Sequence, residues 1–386
     1  MAEGDLASIA AHFGTLTDPR VNRTKAHALL DILTIAICAV VAGADGPTGM
    51  ETFGQERERW LRTFLDLPNG IPSHATFSRV LARLDPTELQ RCFLAWFAAI
   101  QTTTKGAFVA LDGKTLRGSA ARSWGEAAVQ VVSAWASTNR LVLGQERVAS
   151  ASNEIPAIPA LLEKLHLAGC IVTVDALHCQ VKTASTIRDR QADYVLPVKD
   201  NQPHLRAAIA AAFAAAHAGT GAAIHATHQT EETNRNRWER RTVWTITAPT
   251  VLAQLNPDGA WPDLASIGML RSERRLNGTT TSDQRLFISS LDGNAQTLLA
   301  AIRSHWEIEN CVHWILDVVF REDDSRVAVG HGPANLVVLR HIALNLLQQA
   351  RPMYPKRSLK QQRFAASLNT ATLGQILVGP PQAETG

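Results

Sequence analysis

Cysteine is scarce and badly spaced for metal or disulfide work. The five present, Cys38, Cys92, Cys170, Cys179 and Cys311, form no CxxC pair and are odd in number. That argues against a zinc cluster or a disulfide framework and for a reduced interior. Charge is also thin, at 19% of residues with a net +3, so the overall balance does not reveal nucleic-acid binding. No charged-then-apolar leader opens the chain, whose start, MAEGDLASIA, is acidic. The longest apolar run, 32–43, is interrupted only by Thr34 and falls short of the roughly 20 residues a bilayer-crossing helix needs. These absences predict a soluble intracellular protein with no membrane partner.

What is present is core material. Hydrophobic residues make up 46% of a 386-residue chain, enough for two or three compact units. Residues 1–104 read as an N-terminal all-α domain: HALLDILTIAICAVVAG, METFGQERERWLRTFLDL, HATFSRVLARL behind Ser73, and TELQRCFLAWFAAI behind Asp85 and Pro86. From Lys105 the pattern changes to short β-branched runs, AFVALDG, VQVVSAWAS and LVLGQERVA, then a helix, the strand CIVTVDAL, a helix and the strand YVLPVK. Residues 105–221 and 293–350 form the expected α/β core, with 222–292 as a β-rich insertion and one long helix over 296–320. Six basic residues against one acid after residue 334 (Arg340, Arg351, Lys356, Arg357, Lys360 and Arg363 against Glu384) mark a basic C-terminal tail, expected to lose order over 351–386.

Three acids sit where the patterning changes. Asp112 ends the run in AFVALDG, Asp175 ends the one in IVTVDA, and Glu309 lies in HWEIENCVHW. A carboxylate closing a buried strand is often only a turn former or a cap. Three antiparallel strands followed by helix, strand, helix, strand is, however, the strand order of the ribonuclease H fold, a mixed sheet with flanking helices. Such pairing brings Asp112 beside Asp175. Two like charges that close need a cation, and magnesium takes oxygen ligands of this kind, two ions about 4 Å apart serving phosphoryl chemistry. Glu309 completes the set from a helical face shared with His305 and His313. Zinc on those two histidines lacks a further ligand from another element.

Candidate phosphate contacts are Lys114 and Arg117 just past the first aspartate, and Lys199 after the fifth strand. In the insertion, Arg235, Arg237, Arg240 and Arg241 flank Trp238, a combination suited to DNA ends, although Glu231, Glu232 and Glu239 dilute it. The helix after Ser73 could offer His74, Thr76 or Arg79 to DNA, or serve packing.

Taken together and in order, LDGKTLRGS, SNEIPAIPALL, VTVDALHCQ, YVLPVKDNQP, FISSL and RSHWEIENCVHWILDVVFREDDSR resemble the H-repeat-associated branch of bacterial insertion-sequence transposases. DPRVNRTKAHALLDIL and GIPSHATFSRVLARLDP resemble the helical domain that precedes the DDE core there, so the resemblance spans roughly 10–350. It implies a DDE triad on Asp112, Asp175 and Glu309, and magnesium or manganese as cofactor. It also implies binding to double-stranded DNA at terminal inverted repeats and at a target, a homodimer assembled on paired ends, and a nucleoid-associated protein of the bacterial cytoplasm. The broader group often has tyrosine, arginine and lysine around its glutamate, where this chain has Ile302, His305 and Leu316. Arg303 or His305 would replace the arginine at the DNA, and Asp317 stands as a rival third acid. Two alternatives remain at this point, a decayed DNA-binding remnant and a nuclease that cuts without joining.

Overall fold

The computed structural model describes residues 9–100, 106–117, 128–148, 154–234 and 237–379. Helices come first: α1 (Leu29–Val41), α2 (Pro47–Glu56), α3 (Glu58–Leu61), α4 (His74–Arg83) and α5 (Pro86–Ile100). The run expected as one helix from Met50 is broken at Arg57 into α2 and α3. Strands β1 (Phe108–Thr115), β2 (Gln130–Ala136) and β3 (Leu141–Arg147) follow, then α6 (Ala157–Leu162), β4 (Ile171–Val174), α7 (Val181–Asp189), β5 (Asp193–Val198) and α8 (Pro203–His217).

The sheet order is β3-β2-β1-β4-β5, with β1 antiparallel to β2 and parallel to β4, which is the ribonuclease H-like arrangement. Four more strands extend it: β6 (Ala226–Asn234), β7 (Arg237–Ile246), β8 (Ser266–Leu276) and β9 (Thr279–Ser289), with α9 (Pro249–Leu255) between β7 and β8. They are not a separate body. β9 pairs antiparallel with β5 from Val195–Ser289 to Val198–Leu286, so one nine-stranded sheet runs across the molecule. Local alternation marks strands but not the border they join.

Helix α10 (Ala295–His305) lies across both halves of the sheet, capped by Asn294, which accepts from the backbone N–H of Thr297. It packs Leu298, Leu299 and Ile302 on Ile171, Val195 and Phe287. Close approach needs Gly268, where a Cβ would stand 2.3 Å from Leu298 Cδ2. The expected single helix over 296–320 is interrupted after α10. Glu309–His313 form a π-helical turn and α11 (Trp314–Val318) resumes the α-helix. Such turns widen the helix and re-aim side chains, and they recur at functional sites.

Helix α12 (Gly332–Gln349) is buried from Gly332 to Gln348. It shares one core with Leu33, Ile37, Phe77 and Phe93 of the N-terminal helices and with Trp135 and Val142 of the sheet, so those helices form a layer over the sheet. Two capped helices follow where order was expected to fade, α13 (Leu359–Leu368) and α14 (Thr370–Val378). The reason is apolar: Leu359, Ala366, Leu373 and Ile376 join the same core. Arg363, read as tail charge, is buried instead. Its guanidinium donates to the carbonyls of Val40 (2.8 Å) and Val319 and lies 4.1 Å over the Phe320 ring. Residues 380–386 lie outside the described part.

The β3 border is sealed by side chains. Asn345 of α12 donates to Val142 O and accepts from Val142 N, both at 2.8 Å, and Gln90 of α5 donates to Gln145 O. Among the described residues no helix is long and apolar enough to cross a membrane, and all five cysteines are free thiols.

Candidate active site

The acids meet through strand register. Parallel β1 and β4 align Leu111 with Val174, so the next residues, Asp112 and Asp175, stand at the same level, Asp175 just past the end of β4 and Asp112 inside β1, which does not stop at the aspartate as expected but stays paired with β2 to Thr115. Asp112, Asp175 and Glu309 line one cleft of about 410 Å³, together with Thr173, Lys199, Arg285, His305 and Trp306. Sequence separation is bridged by the sheet for the first pair and by the π turn for the glutamate.

Electrostatics make the neighbourhood explicit. Burial, and then the negative charge of Asp175, push Asp112 up to about 7 from 3.8, with Glu309 and Glu154 adding to the repulsion. The hydrogen bond that Asp112 Oδ1 accepts from Gly113 N at 2.9 Å offsets part of this. Asp175 is the more exposed, with 43% of its side chain open to solvent against 20% for Asp112. Its Oδ1 accepts from the backbone N–H of His178 at 3.3 Å, capping a short 3-10 turn over Ala176–His178.

Two histidines border the acids in neutral form. His305 is held down to about 4 by burial, and its Nδ1 lies 3.2 Å from Thr173 Oγ1. Burial likewise holds His313 down to about 4; its Nδ1 lies 3.5 Å from Asp112 Oδ2 while its Nε2 has no hydrogen-bond partner among the described residues. A neutral ring can donate one N–H to a carboxylate without adding a charge. On the rim, the Arg285 guanidinium stacks 4.9 Å over Trp306 and is braced by Asp283 at 2.8 Å, and Lys199 is exposed.

These residues suit a hard divalent cation in chemistry, because three carboxylates from separate elements supply oxygen donors with a net negative charge. The raised Asp112 marks a charge that its protein neighbours do not compensate. Among the described residues no three His, Cys, Asp or Glu side chains close up as a finished metal shell.

Comparisons with known proteins identify the family. Residues 103–346 match the family described as "Transposase DDE domain", and residues 10–97 match one described as "DDE_Tnp_1-associated". The chain belongs to the DDE transposase family. It is 34% identical to YncI of Escherichia coli O157:H7 over 96% of this chain and 95% of that one. It is 32% identical to the H repeat-associated YhhI of E. coli K12 over 97% and 99%; both relatives carry the name transposase. An uncharacterized protein of Xanthobacter autotrophicus from the dhlA 3′ region is 39% identical over 72% of this chain and 92% of its own.

Other expected contacts of this DDE transposase fall in different places. Lys114 does not face solvent: its Nζ lies 2.5 Å from Asp317 and 2.7 Å from Glu322, whose side chain is 1% exposed and also meets Arg340 at 3.4 Å. Lys114 is thus committed to an internal ion cluster, and Asp317 is paired there. Arg117 is open, 84% exposed with Asp323 at 3.9 Å. Arg237 pairs with Glu239, Arg240 with Glu231, and Arg303 with Glu232, at the far end of the sheet from the acids. Trp238 donates to Glu231 at 2.6 Å between the guanidinium groups of Arg240 and Arg275. Arg235 lies outside the described residues. Sequence reasoning missed Glu154, His178, Thr173 and Arg285 as neighbours of the acids. The stretch SNEIP carried the signal for Glu154, an acid just ahead of an apolar helix.

Proposed function

We propose that this DDE transposase cleaves DNA at the terminal inverted repeats of its own element and transfers the freed ends to a target, with magnesium or manganese at Asp112, Asp175 and Glu309. The observation that carries the reading is the shared cleft of these three carboxylates, two of them at the same level of adjacent parallel strands. Glu309 is preferred to Asp317 as the third acid because it lines that cleft, whereas Asp317 is paired with Lys114.

Divalent cations bound there would supply charge neutralisation and an activated oxygen for attack on a phosphodiester. The remaining work falls to side chains. Asp112, the most shielded acid, accepts from Gly113 N and so keeps its second oxygen directed away from the strand. Lys199 and Arg285, at the rim, attract the phosphates of the strand to be cut. The Trp306 face fixes the Arg285 guanidinium. His305 and His313 stay neutral, so they line the site without competing for the carboxylates as cations.

The test is a duplex carrying the inverted repeats that flank the gene, incubated with the full-length protein and magnesium. Nicks at the repeat ends and joined target products are expected, both lost in Asp112→Asn. Cut ends that never join would replace the transposase reading with a nuclease. An Asp112→Asn protein that cuts at the wild-type rate would refute the site.

A further inference from the structure

A fourth carboxylate reaches the acids from the other face of the sheet. Helix α6 covers β2 and β3, and its Ala157, Ile158 and Leu161 share one apolar core with Val109 and Leu111, on the face opposite to the one Asp112 leaves by strand alternation. Glu154, three residues ahead of α6, comes round beside Gly113, where a Cβ would stand 3.0 Å from its Oε2. The glycine after Asp112 thus leaves room for this carboxylate. Glu154 is 23% exposed, and its one ion-pair partner within 4 Å among the described residues is His178.

His178 is the second observation. Its side chain is 1% exposed, and its Nε2 stands between two acids, 3.7 Å from Asp175 Oδ1 and 3.9 Å from Glu154 Oε2. Its Nδ1 is enclosed and meets no hydrogen-bond partner among the described residues. Burying an imidazole with one nitrogen unsatisfied carries a desolvation cost. A packing role would be filled better by leucine, so the ring is placed for what its other nitrogen faces.

We propose that Glu154 is a fourth cation-holding carboxylate of this site, acting with Asp112, and that His178 is a positioning residue that keeps Glu154 and Asp175 turned toward a common ion. The proposal rests on the triad reading above. Its physical basis is that a half-buried acid set against a second acid, and paired with no lysine or arginine among the described residues, is electrostatically unfavourable until a cation enters.

The experiment measures manganese binding to the full-length protein by calorimetry and by the Mn²⁺ electron paramagnetic resonance signal, with end cleavage in parallel. Wild type is compared with Glu154→Gln, Asp112→Asn and, as a control, Glu163→Gln, which alters an exposed acid at the end of α6. Glu154→Gln is expected to weaken Mn²⁺ binding about tenfold to a hundredfold, and cleavage should recover as Mn²⁺ is raised. Glu154→Asp keeps the charge one methylene back and should fall between it and wild type. Wild-type Mn²⁺ affinity in Glu154→Gln, with binding lost in Asp112→Asn, would overturn the fourth ligand and leave the triad standing. Undiminished binding in Asp112→Asn would remove the triad and the proposal with it.

Discussion

The two halves of the sheet solve opposite problems. In β3-β2-β1-β4-β5 the strands are covered by helices and nearly every residue of β2 and β4 is buried. The cleft acids enter there at one level, Asp112 within β1 and Asp175 just past β4. In the outer half, β8 and β9 are buried only near one end, and their exposed stretches carry arginines matched by glutamates across the ladder. A covered sheet fixes a side chain to within a fraction of an ångström, whereas an open one offers surface. The acids belong to the first kind of scaffold and the Trp238 cluster to the second.

The largest expected break in this comparison is chemical. Asp175→Asn should reduce end cleavage by about a thousandfold or more, on the order of 4 kcal/mol of transition-state stabilisation, while Trp238→Ala should leave the rate within about tenfold and act on DNA affinity instead. Matched nicking rates and gel-shift titrations of the two variants check this. Equal losses of rate would erase the distinction between the halves.

Next comes stability. Glu322→Ala strands Arg340 in the interior and leaves Lys114 with Asp317 alone, and breaking such a pair from one side costs about 3–5 kcal/mol. Urea unfolding measures it, and a loss under 1 kcal/mol would mean that the cluster is solvated. Acid and base limits should differ as well. Asp112 is raised from 3.8 to about 7 in the fold, so its stabilising share is intact below about pH 4 and is lost as pH rises to 7. The loss is at most roughly 4 kcal/mol. His305 and His313 are lowered from 6.5 to about 4, so their share is intact above pH 6.5 and is lost as pH falls toward 4. Unfolding midpoints from pH 4 to 8 without divalent cation test both signs: Asp112→Asn should remove the loss that accompanies rising pH between about 4 and 7 and leave the histidines' loss toward pH 4 in place. The smallest effect belongs to the open half: Glu231→Gln should leave the unfolding midpoint unchanged, since exposed pairs contribute little.

How much of this was legible beforehand follows the range of the interactions. The strands that carry Asp112 and lead to Asp175 could be read directly, because apolar runs next to an acid are local patterns, and the strand order followed from their succession; that β1 runs on past Asp112 to Thr115 depended on its pairing with β2. The fate of Lys114 could not be read, since its partners lie about 200 residues further along, and Asp317 looked like a spare acid until they met. Arg363 looked like tail charge because periodicity does not reveal carbonyls waiting to be satisfied. The continuity of β6 to β9 with the rest of the sheet depended on β5 meeting β9, a pairing that alternation does not encode. Glu309 was singled out from its neighbours, but its π turn was hidden inside an unbroken helical pattern.

The amides of Asn345 and Gln90 have a consequence for how copies of the protein can associate. An outermost strand normally advertises free N–H and C=O groups to any passing chain, and here helical side chains have already taken those of Val142 and the carbonyl of Gln145. Growth of the sheet by recruitment of a foreign strand is therefore blocked along β3. The opposite margin, β6, is largely exposed along its nine residues, so backbone pairing with a partner copy is left to that edge.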